Sequence, residues 1–417
     1  MTLMQRPLRG YIDAQVEEIR ADTALRLYGA LLALCQVMTF CVWVGREHIR
    51  QLSDLGNPVC WPFFETCFRY RPFTFSQVTG LLLLYGAVSV VSVLLFLFPR
   101  RCGLAYGWLL LTNAFKTLIY VQDYRLRLNQ HYMLALATAA FLFVPNKRVV
   151  LRYLLVAFYV WASTLKYNAE WLSGEALYGD PLGVPRSLIP ASCAYVVLLE
   201  SFLVWGVLSR VRWVYWGSLL QLVLFHIVSW PVVGWFYPVL MFVLLAIFPL
   251  GRMYPHPSEP QSLLGSLLTG RQPRSTYVFL AFFSMLQLIP VAMPGDEKVT
   301  GEGRLFSLHM FDARVVCHGA ITLRFKNGTT QALPIPMTGL ATPRILCDPA
   351  VNFSRAVRSC AEHHNDPNFL DLDVFYSARR SHETVERPLM DVTQFCSRHL
   401  SYDVWRPNGW ILKDEQR

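Results

Sequence analysis

The run Thr79–Phe98 carries no charged residue over twenty consecutive positions. As a helix it would extend about 30 Å, the thickness of a bilayer's hydrocarbon core. Inside that core each backbone N–H and C=O needs a partner within the segment, so the run must be helical. It stops at Pro99-Arg100-Arg101, a charged boundary. A chain holding such a segment is built around a membrane, and the remaining segments fit that frame. Leu27–Val44, Gly103–Val121, His131–Pro145, Val149–Tyr167, Ser187–Ser209 and Ser275–Pro294 are further apolar runs. Trp213–Leu250 is long enough to cross twice, with Pro231 and Gly234 as the natural breakers between crossings. Leu27–Val44 is long for a cleavable signal core and no small-residue cleavage site follows it, so it reads as a retained span.

The predicted fold class is an all-α polytopic membrane bundle of about nine transmembrane helices, followed by a small α+β extracytoplasmic domain. Residues 1–26 form a cytoplasmic amphipathic segment, with a helix from Tyr11 to Leu27 on the membrane surface. Residues 27–294 form the transmembrane domain and residues 295–417 the small domain. A composition of 54% hydrophobic and 16% charged residues agrees with this and excludes an ordinary soluble enzyme. The formal charge of +10 does not mark nucleic acid as a partner, because the basic residues lie between apolar runs and form no arm with interleaved aromatics.

Those basic residues set an orientation. Arg100/Arg101, Lys147/Arg148/Arg152, Arg210/Arg212 and Arg252/Arg271/Arg274 fall on one side of a nine-span chain, the cytoplasmic side with the N-terminus. The C-terminal domain is then lumenal or periplasmic. Cys60 and Cys67 in one hydrophilic loop, and Cys317, Cys347, Cys360 and Cys396 in the C-terminal domain, are disulfide candidates in such a compartment, with the pairing of the last four open. Asn327 and Asn352 lie in Asn-X-Ser/Thr acceptors and are glycosylation candidates. The stretch around Lys326-Asn327-Gly328-Thr329 predicts a hairpin, Asn352–His363 a helix and Phe369–Ala378 a strand.

The ionisable residues inside the apolar runs are few. Tyr159–Trp171 reads as a helix whose stripe holds Tyr159, Ser163, Lys166 and Glu170. The plainer account of this stripe is a lysine at the interface paired with the glutamate four residues on. Lys116 and Glu200, both mid-membrane, suggest a structural ion pair. His131 with neighbouring Asn129, and His226, fall at the same outer depth as Lys166 under the nine-span topology. Each histidine taken alone is more often a satisfied buried polar group. As a set they fit chemistry: apolar surroundings disfavour charge, an uncharged amine is a competent general base, and imidazoles hydrogen-bond an oxyanion. The sequence shows no metal-ligand cluster, nucleotide motif or nucleophile elbow.

Three patches resemble the vitamin K-dependent γ-glutamyl carboxylase family, including its shorter relatives with the HTTM (horizontally transferred transmembrane) domain. They are Asn129-Gln130-His131-Tyr132; Leu165-Lys166-Tyr167-Asn168-Ala169-Glu170-Trp171 with Gly174; and Phe225-His226 with Ser229, Gly234, Phe236 and Pro238. The likeness covers about residues 10–295. It implies that Lys166 is the base that deprotonates reduced vitamin K or a related quinol. O2 and CO2 are the co-substrates, no metal is needed, and a protein or peptide glutamate is carboxylated. It places His131 with the catalytic residues, and Asn129 and His226 at the quinone or substrate; Tyr159 and Ser163 share the lysine's stripe. Gln130 and Val228 depart from asparagines of the family pattern, and only residues 295–417 follow the last span, far less than the lumenal part of the animal enzymes. The leading expectation is a carboxylase-type enzyme. The rivals are a quinone epoxidase without peptide carboxylation, and a non-enzymatic membrane scaffold that binds lipid or quinone.

Overall fold

The computed structural model describes residues 5–45, 59–67, 75–177, 183–257, 263–268, 272–308, 315–334, 346–380 and 382–413. The protein is mostly helical, with a small antiparallel sheet near the C-terminus. Its helices are α1 (Gln5–Ala21), α2 (Thr23–Gly45), α3 (Phe75–Phe96), α4 (Cys102–Tyr120), α5 (Asn129–Phe143), α6 (Lys147–Thr164), α7 (Ile189–Ser201), α8 (Arg212–Val233), α9 (Phe236–Leu245), α10 (Ile247–Met253), α11 (Arg274–Leu288) and α12 (Pro349–His363). Several one-turn and 3-10 segments lie between them. The strands are β1 (Val315–Phe325), β2 (Thr330–Pro334), β3 (Phe369–Arg380) and β4 (Arg387–Val392).

The chain forms two compact units. A helical unit takes Met1–Glu47, Ser76–Ile119 and Leu128–Met285; a sheet unit takes His48–Phe75, Tyr120–Arg127 and Leu286–Arg417.

Among the described residues six helical stretches are long and apolar enough to cross a membrane: Thr23–Val44, Gln77–Phe96, Arg186–Leu208, Arg212–Val233, Phe236–Met253 and Arg274–Ala292. The other three expected spans are helices of a different character. The 15 residues of α5 reach about 22 Å, short of a hydrocarbon core. In α6, nearly every side chain from Lys147 to Ser163 is buried, so this helix is the core around which the unit packs. α4 holds the buried Lys116. Between α8 and α9 the turn falls where expected. Gly234 takes φ +75°, a conformation glycine reaches without steric cost, while Pro231 stays inside the last turn of α8.

The N-terminal helix is not free on a surface. Val16 and Ile19 are buried. Glu18 accepts the backbone N–H groups of Asn146 (3.2 Å) and Lys147 (2.6 Å), which open α6. A carboxylate there meets unpaired donors and the positive end of the helix. Asp22 ends α1 and caps α2 by accepting from the N–H of Ala24 at 2.8 Å, and its carboxylate lies 2.5 Å from Arg148. Lys147, Arg148 and Arg152 are therefore buried anchors rather than solvated loop charges.

The sheet unit has strand order β2-β1-β3-β4, antiparallel throughout. Alternation turns Val315, Cys317, Ile321 and Leu323 of β1 to one face, with Leu372, Val374, Tyr376 and Ala378 of β3. Ile321 stands opposite Val374 and Leu323 opposite Leu372, and Phe353 and Ala356 of α12 complete the core. The β1–β2 turn is the four-residue connection Lys326-Asn327-Gly328-Thr329, with Gly328 at φ +82°. Disulfides join Cys60–Cys67, Cys317–Cys347 and Cys360–Cys396, which selects one of the open pairings. The latter two close loops of 30 and 36 residues, each contributing about 3–4 kcal/mol by loop entropy.

Two segments that the sequence places within the 27–294 domain belong to this unit. Tyr124 N–H donates to Val59 O (2.9 Å), Cys60 N–H to Ser354 Oγ (2.9 Å) and Tyr402 N–H to Glu65 Oε1 (2.8 Å). Of the two sequons, Asn327 is exposed on its turn, where its side chain accepts from Thr329. Asn352 is fully buried on α12 and its amide donates to Leu346 O and Asp348 O. A glycan has no room there, so Asn352 is withdrawn as a candidate.

Candidate functional site

The helix that leads to Lys166 ends before the lysine. α6 stops at Thr164; Lys166 N–H returns to Ser163 O at 2.9 Å, and Asn168 caps a new turn, Ala169–Leu172, by accepting from Trp171 N–H at 2.9 Å. Residues 165–168 are therefore a break, and the expected helical stripe from Tyr159 to Glu170 does not continue through it. The break frees Lys166 from helical geometry. Its Nζ lies 2.5 Å from Glu200 Oε2 on α7 and donates to Ala162 O at 3.5 Å. The indole of Trp171 lies 5.4 Å from Nζ. Both charged side chains are buried, with Lys166 4% and Glu200 1% exposed.

The expected pairing of Glu200 with Lys116 is corrected: the carboxylate holds Lys166. Lys116 lies in a separate polar seam of α2, α3 and α4. There Tyr85 OH donates to Gln36 Oε1 (2.9 Å), and Gln36 Nε2 donates to Asn113 Oδ1 (3.4 Å). Lys116 is 5% exposed, and its Nζ has no hydrogen-bond partner among the described residues.

One turn before the break, Tyr159 on α6 meets His226 on α8, with the phenol oxygen 2.7 Å from Nε2. Phe225, Tyr237 and Phe242 surround the imidazole at centroid distances of 4.9, 5.7 and 6.2 Å. His226 is fully buried, and its Nδ1 has no hydrogen-bond partner among the described residues. It lies within electrostatic reach of Lys166, as Tyr159 and Tyr237 do of Glu200. Ser163 is also here, its hydroxyl 2.5 Å from that of Ser201 beside Glu200, and Tyr167 OH is 2.7 Å from the same Ser201 oxygen.

Lys166, His226, Tyr159 and Ser163 thus meet at one place, with Glu200, Ser201 and Tyr237 added to the sequence-based set. His131 occupies an adjoining aromatic nest. It is buried on α5 with Trp43 at 5.1 Å and Phe236 at 6.1 Å. Phe236 and Tyr237 are consecutive on α9, so its first turn touches both histidines. Asn129 is half-buried in the first turn of α5, two residues before His131. The signal for Glu200 was present in the sequence as one carboxylate inside an apolar run; its partner depended on helix register, which no local pattern encodes.

Chemically, the site combines an amine, a carboxylate, a phenol and an imidazole within aromatic and aliphatic walls. Compared with family models, with curated proteins and with solved structures, the chain gives no match.

Proposed function

We propose that this chain is an integral membrane enzyme of the vitamin K-dependent γ-carboxylase type, acting on a lipophilic quinol. The observation that carries this reading is a buried amine paired with a carboxylate, Lys166 with Glu200, within electrostatic reach of His226, whose Nδ1 has no hydrogen-bond partner among the described residues. A buried polar atom without a partner is costly, on the order of 1–3 kcal/mol, so an unfilled Nδ1 at an aromatic-walled place marks a position for a ligand oxygen.

In this reading Lys166 takes the hydroxyl proton of the quinol. Tyr159, hydrogen-bonded to Nε2, fixes the imidazole plane and leaves Nδ1 to meet a ring oxygen. His131 and Asn129, on the other side of the α9 turn, contact the substrate glutamate or the quinone. A bound quinol would supply, with O2, the strongly basic chemistry needed for carboxylation of a glutamate by CO2, and Lys166, His226, His131 and Asn129 are the residues that would hold it. The surrounding apolar helices exclude water, which strengthens each polar contact.

The finer topology belongs to the same proposal. With α4, α5 and α6 counted as crossings there are nine, the N-terminus is cytoplasmic and the disulfide-bearing unit is lumenal or periplasmic. The three disulfides favour that side, since such bonds persist in oxidising compartments.

The test is turnover of reduced vitamin K under O2 by the purified protein, with an added glutamate peptide. The wild type is expected to form epoxide and to add the mass of CO2 to the peptide, and Lys166→Ala to lose about 10²–10⁴-fold in rate. Epoxide without peptide carboxylation would favour the oxygenase alternative. No epoxide from folded wild type would favour the lipid- or quinone-binding scaffold.

A further inference from the structure

We infer that Glu200 is the positioning residue of the reaction, the group that makes Lys166 able to hold a substrate proton. The inference rests on the reading of Lys166 as base and assigns a role to a residue that no motif marks. It starts from the break in the chain. Lys166 lies past the end of α6, and the only helix contact of its amine is a long one, 3.5 Å, to Ala162 O among the described residues. The four-carbon stem is flexible, and what fixes the amine is the carboxylate oxygen at 2.5 Å on α7. Glu200 is in turn fixed by its place near the end of α7, where Ser201 binds both Ser163 and Tyr167. These two hydroxyl contacts tie the end of α7 to the end of α6 and to the break itself. The amine therefore has one address, set by three side chains.

The second part is charge. When the amine accepts a proton, an O–H bond of the quinol breaks and an N–H bond forms on Nζ. The electron pair of the broken bond stays on the quinol oxygen. In water the new ammonium would be solvated; at a place where Lys166 is 4% exposed it is not. An uncompensated ion is expensive there, and an adjacent carboxylate offsets that cost. Glu200 needs no movement to do so, because it is already at contact distance. Trp171 adds a ring face 5.4 Å from Nζ, a weaker attraction for the same ammonium. The carboxylate acts through the amine: Oε2 is on Nζ, whereas Nδ1 of His226 has no hydrogen-bond partner among the described residues.

A purely structural ion pair predicts something different. Its loss would lower the amount of folded protein but leave the kinetics of the folded fraction intact. A positioning residue predicts a loss in kcat with quinol affinity retained, because the interaction matters most once the ammonium forms.

The experiment compares the wild type with Glu200→Gln and Glu200→Asp in epoxide formation from reduced vitamin K, with rates normalised to folded, monodisperse protein. The expected result for Glu200→Gln is a fall in kcat of at least about 100-fold with KM within about threefold of wild type. Glu200→Asp, which keeps the charge one methylene further away, is expected to retain more than a tenth of wild-type kcat and to fall at least about threefold below it. A Glu200→Gln enzyme with wild-type kcat overturns the inference while leaving Lys166 as base, as does one in which only KM rises. If Glu200→Gln does not fold, Glu200→Asp decides, and a kcat within twofold of wild type overturns the inference. Absence of turnover in the wild type itself refutes the underlying reading instead.

Discussion

Two lysines are buried in the helical unit, and the structure treats them differently. Lys166 stands in a break after a helix, with a carboxylate at 2.5 Å and an aromatic face beside it. Lys116 stands inside α4, within electrostatic reach of Cys35, with no hydrogen bond from its Nζ among the described residues. Both look alike in sequence, as a single basic residue in an apolar run. The difference teaches that burial of a lysine is not itself a sign of chemistry. The carboxylate partner at Lys166 is what separates the two positions in the structure. His226, within electrostatic reach of Lys166, has no hydrogen-bond partner at Nδ1 among the described residues; the seam around Lys116 is largely closed on itself through Tyr85, Gln36 and Asn113.

The comparison breaks most sharply on the removal of Glu200. Glu200→Ala removes the carboxylate partner of the buried Lys166 amine and should destabilise the helical unit by about 3–5 kcal/mol. Denaturant unfolding in detergent measures this, and a change below about 1 kcal/mol would mean that the pair is not buried as described. Next in size is Tyr159→Phe. It leaves Nε2 of His226 without its partner at 2.7 Å and should cost about 1–3 kcal/mol. An unchanged unfolding midpoint in that variant would remove Tyr159 from the site.

Lys116→Met runs in the opposite direction. It deletes a buried amine with no hydrogen-bond partner among the described residues and keeps the volume, so stability should rise by about 1–2 kcal/mol while any quinol turnover stays within about threefold. A loss of stability there would show that Lys116 is compensated after all.

The smallest effect tests a buried charge in the sheet unit. Asp348 caps α12 through Ala350 N–H at 2.9 Å and accepts from Tyr124 OH at 2.9 Å. Burial pushes its carboxyl above the ordinary range, against the pull of the Ala350 N–H, Arg127 and the Tyr124 hydroxyl. For an acid raised in the folded state, the stabilising contribution is complete below the ordinary carboxylate range. It is lost as pH rises through the folded value. Asp348→Asn keeps a capping oxygen and removes the titration. Its stability at neutral pH should lie within about 1 kcal/mol of wild type, with a flatter profile above the ordinary carboxylate range. An unaltered pH profile would contradict this assignment.

Much of the architecture was readable because apolar length and charge are one-dimensional. Thr79–Phe98 could only be a helix, and α3 covers Phe75–Phe96. Gly328 and the alternation of β1 and β3 gave the hairpin and the strands. The six cysteines in hydrophilic stretches were legible as disulfides, but which partner each takes depended on the β1–β3 register and the position of α12. What stayed hidden is tertiary. Leu165–Asn168 contains no proline or glycine, so nothing local marks the break that frees Lys166. Glu200 and Lys166 are 34 positions apart on different elements, and only helix packing joins them. Asn352 reads as an acceptor because Asn352-Phe353-Ser354 fits the sequon, yet α12 turns it into the core. The segments 59–67 and 120–127 join the sheet unit through backbone pairing and Asp123, contacts that composition does not record.

The most direct measurement is quinol-dependent O2 uptake by purified protein, comparing wild type, Lys166→Ala and Lys116→Ala side by side. The account predicts uptake in the wild type, retention in Lys116→Ala, and loss by about 10²–10⁴-fold in Lys166→Ala. Equal uptake in both lysine variants, or a greater loss at Lys116, would contradict it.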